Sequence, residues 1–173
     1  MDDFFQKVTN MQDPFSKLLS HIPGFGGYIE RQNRRDADKL LRETVARRFE
    51  EQWKRVSQLQ SDLVSNGMIS YVDDMEKAAL KLRTFIDKLT TAPRGYSGLF
   101  DAVKINEKEL ESIYQFDAAF FDLAEQVGRA VDNVEQTLSD ETGLPAAIRN
   151  LTSLTRLAVE TYEKRAEVVT GSK

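Results

Sequence analysis

Apolar residues recur along this chain at alternating intervals of three and four, the signature of helices that bury one face. Phe4, Val8, Met11, Phe15, Leu18 and Ile22 form the first run. Pro14 falls inside it, and Asp13-Pro14 reads as a cap followed by the first helical position. The expectation is an amphipathic N-terminal helix broken near Asp13 and ended by a glycine-aromatic loop over Pro23–Tyr28. A second run carries Leu41, Val45, Phe49, Val56, Leu59 and Leu63, with Trp53 at its margin. It lies within Glu30–Asn66, which contains neither glycine nor proline and predicts a single helix about 55 Å long.

Asn66-Gly67 stops that helix, because glycine tolerates the left-handed conformation of a C-terminal cap. Gly67 is read here as a turn or a kink. A third run, Val72, Met75, Ala79, Leu82, Ile86 and Leu89, ends before Thr91-Ala92-Pro93. Asn106 with Glu109, flanked by Ile105 and Leu110, has the form of a capping box with a hydrophobic staple. The helix it opens carries Ile113, Asp117, Phe120, Ala124, Val127, Val131, Val134 and Leu138. After Thr142-Gly143-Leu144-Pro145, a last run holds Leu144, Ala147, Leu151, Leu154, Ala158 and Tyr162.

No period-two alternation of strand length occurs. The fold class is therefore all-α: an elongated antiparallel helical bundle with one very long helix and a broken amphipathic N-terminal helix. Residues 1–28 form the N-terminal segment and glycine loop, 29–169 the bundle, and 170–173 a tail. Short connections make neighbouring helices antiparallel. They bring the start of the long helix, the end of the third run and both glycine-aromatic loops, Pro23–Tyr28 and Arg94–Phe100, to one pole. The partner-binding candidates cluster there: Phe4, Phe5, Phe15, Phe25, Tyr28, Arg31, Arg34, Arg35, Tyr96 and Phe100.

Composition agrees with long helices: 40% hydrophobic, 30% charged, and four prolines in 173 residues. The absence of cysteine excludes disulfides and thiolate metal sites. No apolar run reaches the length of a membrane span, and Met1-Asp2-Asp3-Phe4-Phe5 lacks the cationic start of a signal peptide. A cytoplasmic location is the expectation, with a peripheral position at a membrane as the alternative.

Charge is unevenly distributed. Nine basic residues stand against five acidic ones between Arg31 and Arg55, and ten acidic against two basic between Glu107 and Glu141. Three readings follow. The two helices pack with complementary flanks, or the acidic face of one copy meets the basic face of another, or the basic helix binds nucleic acid. Interleaved acids dilute the last reading, and the net charge of −4 offers it no general support. No nucleic-acid partner is expected.

Catalytic chemistry finds little to work with. His21 is the only histidine, two residues before Pro23, where a helix C-terminal cap or a surface position accounts for it. Glu-x-x-His pairs for a di-iron bundle are missing, so no metal is expected. Gly24-Phe25-Gly26-Gly27 lacks the Gly-Lys-Ser/Thr and preceding strand of a phosphate loop, so no cofactor is expected. Asp73-Asp74 read as solvated charges. Asp117 differs, because it occupies a stripe position between Ile113 and Phe120. It is either a ligand carboxylate in a bundle cavity or a buried polar group paired with an arginine or a tyrosine hydroxyl.

Two blocks carry a resemblance. Pro23-Gly24-Phe25-Gly26-Gly27-Tyr28 with Arg34-Arg35-x-x-Asp38-Lys39-Leu40-Leu41-Arg42 resembles the PGYxGY…RRxxDKxLR pattern of an uncharacterised bacterial helical family. Gly95-Tyr96-Ser97-Gly98-Leu99-Phe100-Asp101-Ala102-Val103-Lys104 is similar to a GYxGFFDAVK block of the same family. The resemblance implies a link to SPFH/band 7 membrane-scaffold proteins and assigns no activity. The functional expectation is a non-enzymatic interaction or scaffold protein that associates with itself. The alternatives are peripheral membrane association through the N-terminal segment and small-molecule binding at Asp117.

Overall fold

The computed structural model describes residues 14–30, 34–91 and 107–170, with side chains over 16–27, 37–91 and 112–168. Pro14–His21 forms α1, Phe25–Glu30 α2, Arg34–Ser65 α3, Val72–Thr90 α4, Glu107–Gln136 α5 and Leu144–Thr170 α6, with a single 3-10 turn at Ile69–Tyr71. No strand occurs among the described residues.

Four of these helices make the bundle. The predicted stripe residues of α3, α4 and α5 are almost all buried, because their alternating spacing keeps them on one face through successive turns. The end of α4 lies beside the start of α3, where Arg42 donates to the Leu89 carbonyl at 2.9 Å. Arg165 joins Asp38 near the start of α3 to Asp117 in the first half of α5, and farther along Arg55 reaches Asp132 at 2.5 Å, so α3 and α5 run in the same direction. The Tyr162 hydroxyl donates to the Lys88 carbonyl at 3.0 Å, which sets the end of α6 beside the end of α4. The order is up-down-up-down, α3 beside α4 and α5, and α6 beside the same two.

Gly67 makes a true turn. Its φ is 74°, the Met68 amide donates to the Leu63 carbonyl at 2.8 Å, and the Gly67 amide donates to the Val64 carbonyl at 3.0 Å. That bond pair is the Schellman arrangement, and Met68 packs against the core beyond it.

The glycine-aromatic segment departs from the sequence reading. Only Pro23-Gly24 forms the expected connection, and Phe25–Glu30 is helical. The cause is Phe25, which is 2% exposed and draws the segment onto the bundle. Gly26 serves close approach there, since a Cβ on it would sit 3.2 Å from the Leu19 side chain. The long helix is described from Arg34 rather than Glu30, which ends α2. On α6 the buried position is Thr155, not Leu154, which is half-buried. Thr155 satisfies its hydroxyl on the Thr152 carbonyl at 2.9 Å. The capping box at Asn106 lies outside the described residues, although α5 does begin at Glu107.

A candidate functional site at the charged pole

Two layers distinguish the pole where α3 begins and α6 ends. The inner layer is aromatic, with one ring from each helix: Phe49, Phe85, Phe120 and Tyr162. Phe85 is its centre, 4.5 Å from Phe49, 5.4 Å from Phe120 and 6.2 Å from Tyr162 between ring centroids. Edge and tilted contacts of this kind suit the charge distribution of the rings.

The outer layer is ionic and lies about one turn away along α4, α5 and α6. Arg165 of α6 and Asp117 of α5 are 1% and 2% exposed. Arg165 donates through Nε to Asp117 Oδ1 at 2.5 Å and through Nη2 to Asp38 Oδ1 of α3 at 2.9 Å. A longer contact of 3.4 Å joins Nη2 to Asp117 Oδ2. Asp38 also accepts from Arg42 Nε at 2.8 Å, and Arg42 then ties to α4 through the Leu89 carbonyl. Four charges of balanced sign, with one backbone carbonyl, thus join all four bundle helices.

The two carboxylates are not equivalent. Asp38 holds two guanidinium partners, whereas Asp117 holds one and is the more deeply buried. Burial pushes the Asp117 carboxyl up to about 6, against the pull of Arg165. For Arg165, burial acts to lower the value, but Asp117 and Asp38 together outweigh it and raise the guanidinium above its usual range. Attraction wins at the group with two counter-charges and burial wins at the group with one. Arg165 Nη1 is buried with no hydrogen-bond acceptor among the described residues.

The N-terminal helices brace this pole from outside. Lys17 pairs with Asp122, and the His21 ring stacks on Phe121 with centroids 4.6 Å apart and planes 4° from parallel. Leu18, Ile22 and Phe25 are buried, and Phe25 meets Tyr114 edge-on at 6.4 Å. The apolar stripe of the described N-terminal segment is thus committed to the bundle. His21 ends α1, as its place before Pro23 predicts, and its stacking on Phe121 is a tertiary contact that the spacing does not encode.

Of the residues singled out from sequence, Asp117 sits at the centre of the site and Phe25 at its edge. Phe15 and Tyr28 belong to α1 and α2, and Arg34 and Arg35 to the first turn of α3, all four with side chains outside the described residues. Phe4, Phe5, Arg31, Tyr96 and Phe100 lie outside the described residues altogether. Sequence reasoning missed Asp38, Arg42 and Arg165 as site members. A signal existed for two of them: Asp38 lies three residues before Leu41, and Arg165 three after Tyr162, so both extend apolar stripes in register.

Among the described residues no group of three or more histidine, cysteine, aspartate or glutamate side chains is placed to hold a metal ion. No helix among them is long and apolar enough to cross a membrane. Asp117 and Asp38 are both already engaged by guanidinium groups, which makes the arrangement suited to fixing helices relative to one another. No family model, curated protein or solved structure matches this chain.

Proposed function

We propose that the chain is a non-enzymatic helical interaction protein that associates with copies of itself. The supporting observation is that its charge asymmetry is only partly closed within one molecule. On α3, Arg55 takes up Asp132 and Glu135 of α5. Arg47, Arg48 and Lys54 remain exposed and make no ion pair among the described residues. Glu125 and Glu141 are exposed at the acidic end of the asymmetry. A second copy offers those acids to that basic face. Glu50 and Glu51 interleave with the cations, which disfavours a polyphosphate partner over a surface of mixed charge.

Contacts between exposed charges weaken as salt screens them. Sedimentation velocity over a range of concentrations at low and high salt is the test. A mass that rises with concentration at low salt, falls at high salt, and stays monomeric in an Arg47→Glu, Arg48→Glu variant is the expected result. A wild-type monomer at every concentration and salt overturns the proposal.

A further inference from the structure

The ionic layer has a chemical asymmetry that the interaction reading does not use. Asp38 is held by Arg42 from its own helix and Arg165 from α6, at 2.8 and 2.9 Å. Asp117 faces Arg165 alone and is almost fully excluded from water. Removing the charge from Asp117 leaves Asp38 as the counter-ion of both Arg165 and Arg42 and relieves the more deeply buried of the two carboxylates. Removing it from Asp38 instead leaves Arg42 without its only ion-pair partner among the described residues. We infer that Asp117 is a proton-binding site of the closed pole, and that proton uptake there strengthens the junction of α3, α5 and α6.

The neighbours of Asp117 set the terms. α3 presents Asp38 and Arg42, and α6 presents Arg165. α4 presents the Leu89 carbonyl to Arg42 and no ionisable side chain to the layer, because Lys88 pairs outward with Glu163. α1 places Lys17 and His21 on Asp122 and Phe121, on the neighbouring turn of α5. Tyr114 lies three residues before Asp117 on the same helix and is buried against Phe25. None of these groups but Arg165 hydrogen-bonds the Asp117 carboxylate.

The sign follows from linkage. The folded-state value of Asp117, about 6, lies above its ordinary value of 3.8. The contribution to folding is therefore fully present below the ordinary aspartate value and fades as pH rises through about 6. Between pH 7.5 and 5 this group alone raises the folding equilibrium constant about tenfold.

Two measurements test the inference. In the intact protein, the Asp117 side-chain carboxyl carbon is followed by NMR against pH, and a midpoint near 6 is expected. In parallel, denaturant unfolding at pH 7.5 and 5 compares wild type with Asp117→Asn, whose side chain is neutral at both. Wild type gains about tenfold in equilibrium constant over the variant on acidification. A carboxyl midpoint below 4.5 overturns the inference, as does a parallel response of the two proteins. The carboxyl titration decides alone where the Asn variant does not fold.

Discussion

The two ends of this bundle are held together by different means. At the turn end, Val56, Leu59 and Leu63 of α3 share a core with Met75 and Ala78 of α4, Val131 and Val134 of α5, and Leu144 and Leu151 of α6. Every one of these side chains is apolar, and the helices there are joined through Gly67 and through the short stretch between Gln136 and Leu144. At the opposite end the interior holds rings and then four charges. An aliphatic core stabilises by area and tolerates small changes of partner. An ionic layer carries a large desolvation cost that its partners offset only in part, and losing one partner leaves a buried charge uncompensated. The first kind of packing supplies stability, and the second makes the alignment of four helices conditional on a few atoms.

The largest effect expected from this contrast is at Arg165. Truncation to Ala removes the only ion partner of Asp117 and one of two for Asp38 among the described residues, and leaves a buried carboxylate uncompensated. A loss of about 3–5 kcal/mol is expected for breaking a buried pair in this way. Replacing the pair together, Arg165→Met with Asp117→Leu, recovers most of that loss, because the desolvation cost disappears with the charges. Denaturant unfolding at neutral pH measures both. A single variant that costs under about 1 kcal/mol breaks the comparison, since the pole then does not depend on its ions.

The aliphatic end supplies the second test. Leu63 is fully buried beside Met68, and Leu63→Ala is expected to cost about 3 kcal/mol through lost transfer energy and the cavity left behind. Because Leu63 and Arg165 lie at opposite ends with no shared partner, their losses add within about 0.5 kcal/mol. Arg165 and Asp117 do not add, since the second substitution repairs the first. Additivity at one end and strong coupling at the other is the signature that separates the two modes of packing. Coupling between Leu63 and Arg165 would show that the bundle responds as one unit.

The same contrast explains what was legible in the sequence. The aliphatic end is written in residues whose only role is burial, so Leu59, Leu63, Met75, Val131 and Val134 announce themselves by spacing alone. Gly67 is likewise legible, because few other residues accept its conformation. Asp117 stood out as an acid inside an apolar stripe. Asp38 and Arg165 hold equivalent stripe positions but lie beyond the last apolar residue of each run, where a charge reads as the helix leaving the core. Only the convergence of three helices makes those positions interior, and that convergence is a tertiary fact. Phe25 reads as a loop residue for a related reason. Its neighbouring glycines suggest a turn, while burial of its ring against Tyr114 outweighs their low helix propensity.

The smallest expected effect isolates the turn itself. Gly67 has φ of 74°, and a Cβ built on it meets nothing within 4 Å. Gly67→Ala therefore adds no clash, and its cost is that of holding an L-residue in the left-handed region, about 1 kcal/mol. Gly67→Asn should cost less, because asparagine visits that region more readily. Both amides of the turn keep their acceptors on Leu63 and Val64 in either variant, so the difference between the two substitutions reports backbone preference alone. Unfolding midpoints that rank Gly above Asn above Ala, with unchanged denaturant slopes, are the expected result. An Ala variant as stable as wild type would mean that the chain leaves α3 by another geometry, and the turn end would lose its claim to be the locally determined half of the molecule.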